Sequence, residues 1–122
     1  MRALLVHPRY ADAFWTYKHA RRFLGKPASS PPLGLLTVAA LLPAEWEKRF
    51  VDLNAKPLED DDLAWADIVL IGAMLPQHAS AMEVIERARS SNVPILAGGL
   101  LFCTELIDQG PVSYTHLTLP TN

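Results

Sequence analysis

The chain holds one cysteine, Cys103, in 122 residues. That scarcity excludes an intrachain disulfide framework, a CxxC pair and any cysteine-held iron–sulfur cluster built from this chain alone, and makes a reducing, cytoplasmic setting the default expectation. Charge of one sign is also missing. A formal net charge of -2 supplies no basic field to attract nucleic acid, so no nucleic-acid partner is expected. Long apolar runs are absent as well: "MRALLVHP" is too short for a signal core, and nothing later approaches the roughly twenty residues of a membrane span. Half of the residues are nonetheless hydrophobic, enough for a single domain with its own core.

What is present alternates. "ALLV" before His7-Pro8 is a short apolar run of the kind buried on both faces of a parallel sheet. In "RYADAFWTYKHARRFLGK", Phe14, Trp15, Lys18, Arg22 and Phe23 fall at helical spacings, with Gly25 where a helix would end. "PASSPP" forbids regular structure and reads as a loop. "LGLLTVAALLPAEW" follows as an apolar helix that Pro32 can start and Pro43 must stop, and such a helix is expected against a sheet. "KRFVDLN" offers a strand ending near Asp52, "PLEDDDLAWAD" an acidic turn or short helix, and "IVLIGAM" a β-branched, uncharged strand. "QHASAMEVIERARSSN" is expected to be an amphipathic helix with Ala79, Met82, Ile85 and Ala88 on its apolar face. "VPILAGG" is a further strand, and "CTELIDQG" begins another helix. Strands alternating with helices predict an α/β domain with a doubly wound parallel sheet.

In such sheets ligands sit outside the C-terminal strand ends, which directs attention to His7 and Pro8, Asp52, Gly72-Ala73-Met74, and Gly98-Gly99. Common nucleotide fingerprints are missing there. No GxGxxG follows the first strand and no GxxxxGK[ST] occurs anywhere. "HPRY" replaces the Ser/Thr/Gly-rich loop of a flavodoxin-type FMN site, and "IGAM" ends the third strand without the aspartate of a phosphoacceptor domain. The strand ends "GAM" and "GG" are small instead, so a large ligand's flat face or tail can approach the backbone.

The run "FWTYKHARRFLGK" followed by "PPLGLLTVAALLPAEWEKRFVDLN", "PLEDDDLAWADIVLIGAM" and "VPILAGGLLF" closely resembles the N-terminal cobalamin-binding domain of B12-dependent radical SAM proteins, in the subgroup that includes hopanoid C-methylases. The resemblance implies a flavodoxin-like (Rossmann-like) sheet, a corrinoid over the strand ends and its nucleotide tail in the crevice beside strands one and three. It also implies a radical SAM domain in cis, C-terminal to this one. There S-adenosylmethionine and a [4Fe-4S] cluster, neither held by this chain, serve transfer of a methyl group through cobalt to a substrate radical. The fragment by itself is expected to be non-catalytic.

Departures from the family motif DxHxxG, SxL, GG are informative. Leu5 and Tyr10 stand at the aspartate and glycine positions, and Gly72 replaces the serine; only Gly98 and Gly99 match in full. The resemblance therefore implies base-off binding without a histidine ligand, with His7 a strand-end loop residue and no metal ligand in this chain. Two other readings stay open: a docking or structural domain that binds no corrinoid, and an FMN-binding flavodoxin-like domain.

Several side chains have plainer readings. Glu59 to Asp62 suit helix capping and a solvated face rather than a calcium loop. His19 and His78 suit surface or helix-start roles, Lys18, Arg21, Arg22 and Lys26 an exposed helix face, and Cys103 a small filler. Asp52 suits a turn as well as a ligand contact. Gly98-Gly99 is the place where function outranks structure, because a turn needs one glycine more readily than two. The closing "VSYTHLTLPTN" alternates like a strand yet reads as an in-frame translation of sequencing-adapter sequence. The expected organisation is thus a cobalamin-binding domain over 1–110, incomplete after about four strands, and a non-native tail over 111–122.

Overall fold

Ala3, Leu4, Leu5 and Val6 are all buried, as a strand covered on both faces requires. They form the centre of β1 (Arg2–His7), which pairs in parallel with β2 (Glu47–Asp52) on one side and β3 (Ile68–Gly72) on the other. β3 in turn pairs in parallel with β4 (Ile95–Gly98), so the order across the sheet is β2-β1-β3-β4. This computed structural model describes residues 1–11, 32–99 and 101. The expected helix around Phe14 to Phe23, the basic cluster, His19, the helix beginning at Cys103, and the tail all lie outside the described residues.

The period of two along each strand sorts its side chains into two cores. Leu4, Val6, Val69 and Ile71 face α2 (Asp60–Trp65) and α3 (His78–Ser90). Ala3, Leu5 and Leu70 face the other way and meet Leu35 of α1 (Leu33–Leu41). Helices on both faces of an all-parallel sheet make this the expected α/β arrangement of flavodoxin-like type, and the observed strand order matches that fold's first four strands.

Two helices sit differently from their sequence patterns. In α3 the buried positions are Ser80, Ala81, Val84, Ile85 and Ala88. Ala79 is exposed and Met82 only half-buried, contrary to expectation. The buried face instead includes Ser80, whose Oγ accepts the Arg9 N–H at 2.9 Å. In α1 only Leu35 is buried, whereas Leu33 and Leu41 are 70% and 72% exposed. An apolar residue at nearly every turn position leaves no polar face to set the rotation, so part of this helix keeps its apolar surface uncovered.

The acidic run is structural. Glu59 N–H donates to Asp62 Oδ2 at 3.2 Å, and the same Asp62 carboxylate accepts from Arg49 Nη1 at 3.0 Å. Arg49 also lies over the Trp65 ring, 4.2 Å from its centroid, tying β2 to α2. Asp60 accepts from Arg87 of α3 at 2.7 Å.

Beyond the sheet proper, β3 and β4 stay in register. Ala73 N–H donates to Gly98 C=O at 3.1 Å, and Leu101 N–H donates to Ala73 C=O at 3.2 Å. Gly99 lies between these bonds at φ +101°, where a Cβ would stand 2.5 Å from the Ala73 oxygen and 2.9 Å from its nitrogen. Both the dihedral and the contact demand glycine. Gly99→Ala is therefore expected to destabilise the fold by about 2–4 kcal/mol, read as a lowered urea midpoint; an unchanged midpoint would show that the loop relaxes freely.

Candidate functional site

The chain passes from β1 outward to β2 and then back across β1 to β3, which places the topological switch between β1 and β3. A cavity of about 420 Å³ opens at the C-terminal ends of these strands and β4, with α1 as its side wall. Its volume falls within the roughly 300–1,000 Å³ typical of small-molecule sites. Leu35, Val38, Leu70 and Leu96 give it apolar sides.

Four glycines line this cavity: Gly34 on α1, Gly72 ending β3, Gly98 ending β4 and Gly99 just beyond it, of which the first three lie in separate elements. A Cβ on Gly34 or Gly98 would meet nothing within 4 Å, and one on Gly72 would make only ordinary contact with Leu35, 3.7 Å away. Among the described residues, neither packing nor a positive φ requires Gly34, Gly72 or Gly98 to be glycine. Each removes a methyl from the wall of the same space. Gly98 and Gly99 both border the cavity, but only Gly99 is demanded by the turn.

His7 borders the cavity as the last residue of β1, only 4% exposed, and so is a buried strand residue rather than the loop residue expected. Desolvation on burial holds its pKa below the ordinary histidine value of 6.5, with the Asp52 carboxylate pulling weakly upward. Its ring meets Tyr10 edge-on at 5.6 Å between centroids. Its Nδ1 lies 3.4 Å from Gln77 Nε2, while its Nε2 is buried with no hydrogen-bond partner among the described residues.

Gln77 organises this corner. It is 1% exposed and stands between a 3-10 turn (Leu75–Gln77) and α3. Its Oε1 accepts the Met74 N–H at 2.8 Å, and its Nε2 donates to the Pro8 carbonyl at 2.6 Å. One side chain thereby joins the ends of β1 and β3.

The segment after β1 is fully engaged. Arg9 N–H donates to Ser80 Oγ at 2.9 Å, Tyr10 N–H to Asn54 Oδ1 at 3.1 Å, and Ala11 N–H to the Pro76 carbonyl at 3.0 Å. A phosphate cradle needs such successive amides free. These three are committed inside the protein.

Six of the eight expected site residues border the cavity: His7, Gly72, Ala73, Met74, Gly98 and Gly99. Pro8 and Asp52 do not. Pro8 is buried and offers its carbonyl to Gln77 and, at 3.2 Å, to Asn54 Nδ2. Asp52 Oδ1 accepts from both the backbone and side-chain nitrogens of Asn54 at 2.9 Å, which makes it a turn residue. The sequence reading missed Gln77 and the α1 wall. A glycine inside an apolar, alanine-rich helix was the signal for Gly34; for Gln77 the signal was weaker, a polar residue beside Pro76 at a strand-to-helix junction.

With this geometry in place, comparison with known proteins adds a chemical context. No family model matches the chain, and no solved structure matches it. The chain is 37% identical over 109 residues to an uncharacterized methyltransferase of Synechocystis sp. (strain ATCC 27184 / PCC 6803 / Kazusa), a match covering 89% of this chain and 20% of that protein. It is 40% identical over 99 residues to the hopanoid C-2 methylase of Rhodopseudomonas palustris (strain TIE-1), covering 80% of this chain and 19% of that protein. Methylases are its homologues. The chain spans about a fifth of the length of these curated relatives. Among the described residues no helix is long and apolar enough to cross a membrane, and no group of three or more His, Cys, Asp or Glu stands together as a metal site.

Two outcomes follow from the Gln77 corner. Gln77→Leu leaves the Met74 N–H unpaired and Pro8 C=O with only its longer bond from Asn54 Nδ2, and should cost about 1–3 kcal/mol of stability, measured by urea denaturation against wild type. Because the folded His7 pKa is depressed, the unfolded chain binds the extra proton first as pH falls below 6.5, so stability should drop as pH falls through that range. His7→Phe should flatten this part of the melting-temperature profile; an unaltered slope would assign the effect to other groups.

Proposed function

We propose that this domain binds a corrinoid, cobalamin in the first instance, as the cofactor-carrying module of a larger radical SAM methylase. The observation that carries the reading is the cavity wall that includes Gly34, Gly72 and Gly98, three glycines that no packing among the described residues requires and that line one cavity at the C-terminal strand ends. A thin, apolar slot of this size suits the planar base of a nucleotide tail, while a macrocycle too large for it would lie outside, over the ends of β1, β3 and β4. Gly72, Ala73, Met74 and Gly98 would form the floor beneath the ring. His7, buried beside Gln77 and depressed in pKa, is not proposed as a metal ligand.

When bound, the corrinoid would supply the carrier on which a methyl group travels between donor and substrate. The chain's own residues would hold and orient it and exclude water from the slot. The cluster and S-adenosylmethionine chemistry would belong to the remainder of a protein as long as its homologues, and the homology to two methylases supports transfer of a methyl group as the overall reaction. The FMN alternative is disfavoured by the committed amides of Arg9, Tyr10 and Ala11.

Titration with hydroxocobalamin tests the reading directly. Binding should shift the cobalt-ligand absorption bands and raise the melting temperature, with about 2.7 kcal/mol of added stability at a hundredfold excess over Kd. No spectral change together with no stabilisation would leave only a docking or structural role. A slot-filling variant localises the site: Gly98→Leu should fold within about 1 kcal/mol of wild type, since its Cβ meets open space, yet bind the corrinoid at least about tenfold more weakly, a difference of roughly 1.4 kcal/mol.

A further inference from the structure

A helix that is apolar on every face belongs inside a protein, because an outward face without polar groups is unfavourably hydrated. α1 is such a helix, yet only one side of it is covered. Leu35, Val38 and Ala39 pack on the sheet, while Leu33, Leu36, Thr37, Ala40 and Leu41 are exposed. The exposed set recurs at i, i+3, i+4, i+7 and i+8, so it forms one continuous stripe on the side away from the sheet. Thr37 gives this stripe no free donor, since its Oγ1 donates to the Leu33 carbonyl at 2.7 Å.

The other helices solvate their outward faces with charge. Asp60 and Asp61 of α2 and Glu83, Glu86 and Arg89 of α3 are all exposed, whereas α1 carries no charged residue. Apolar exposure on the α1 side also continues past the helix: Phe50 stands beside Leu5 in the β1–β2 register, which puts it on the α1 face of the sheet, and it is 36% exposed. Two elements therefore leave apolar surface uncovered on the same side.

A second copy of this chain is a poor occupant. The stripe on this nine-residue helix is about 14 Å long and roughly 10 Å wide, a footprint far below the roughly 800 Å² that each partner of a stable complex buries. Surfaces joined in one polypeptide need much less, because the chain holds them at effective concentrations that reach the millimolar range. The homologous methylases supply the rest of such a polypeptide: the match covers 20% and 19% of them, so about four-fifths of each lies outside it.

We propose that the outward stripe of α1, extended by Phe50, is a docking surface for an apolar, uncharged face on the remainder of a methylase polypeptide, in cis. The proposal rests on the reading of this chain as one domain of a longer methylase and not on the corrinoid. Because α1 is also a wall of the cavity, the contact braces that wall from its outer side.

The test compares the 122-residue chain with the Rhodopseudomonas palustris hopanoid C-2 methylase carrying this chain's residues in place of its 99-residue matched stretch. Hydrogen exchange of the α1 amides should be at least about tenfold slower in the chimeric methylase than in the isolated chain, and Leu36→Lys with Leu41→Lys should abolish that difference. Equal exchange in both proteins, or protection that survives the two lysines, overturns the docking surface. In the isolated chain, which should sediment as a monomer, the same double variant should leave the urea midpoint unchanged, since both leucines are exposed and lysine keeps leucine's helix propensity. A lowered midpoint, or a dimer that the lysines dissolve, assigns the stripe to this chain's own contacts and overturns the proposal whether or not the chimera folds. Corrinoid uptake by the chimera, read from the cobalt-ligand absorption bands, reports separately on the proposed function. Uptake without protection of α1 overturns only the docking surface, and protection without uptake overturns only the corrinoid reading.

Discussion

The Gln77 carboxamide joins the C-terminal ends of β1 and β3 through the Pro8 carbonyl and the Met74 N–H, and the geometry of the site depends on that join. Parallel strands stop presenting ladder partners at their ends, so the backbone groups just beyond them must be satisfied by something else. An amide can do both at once, offering an acceptor and two donors in one plane. Burying it is tolerable because its polar atoms find partners, with Gln77 Nε2 also 3.4 Å from His7 Nδ1. A single side chain thus closes the sheet and shapes the cavity corner.

The loop after β1 repeats the same logic with different residues. Asn54 from the turn after β2 accepts from Tyr10 and donates to Pro8, while Ser80 of α3 accepts from Arg9. Asp52 holds Asn54 in place through both of its nitrogens. Three neighbouring segments therefore converge on residues 8 to 11. This is a strand end built for rigidity, unlike a phosphate loop, whose amides point outward to an anion.

The sheet was legible in the sequence because uncharged, β-branched runs such as "IVLI" leave little else to propose. The position of the cavity was legible too, since six of the eight residues chosen at the strand ends border it. The rotation of the helices was not. α1 carries apolar residues all round and gives no preferred face, and α3 buries a serine that composition alone would turn outward. His7 could be placed but not its burial, because that depends on Tyr10 and Gln77 arriving from the two sides of the switch. Gly98 and Gly99 look alike in sequence, and only the approach of Ala73 distinguishes them.

The cavity has a tightly bonded side and a less buried side. Its floor is locked where Gly99 passes against the Ala73 backbone, so β3 and β4 end as one unit. The other wall, α1, starts at Pro32 with no side-chain cap and no acidic first turn, and holds to the sheet through buried Leu35 and the partly buried Val38 and Ala39. Elements with so few buried contacts sit at the low-stability end of a fold. A substitution that shifts α1 therefore disturbs little of the sheet, while one at Gly99 disturbs the ends of β3 and β4 together.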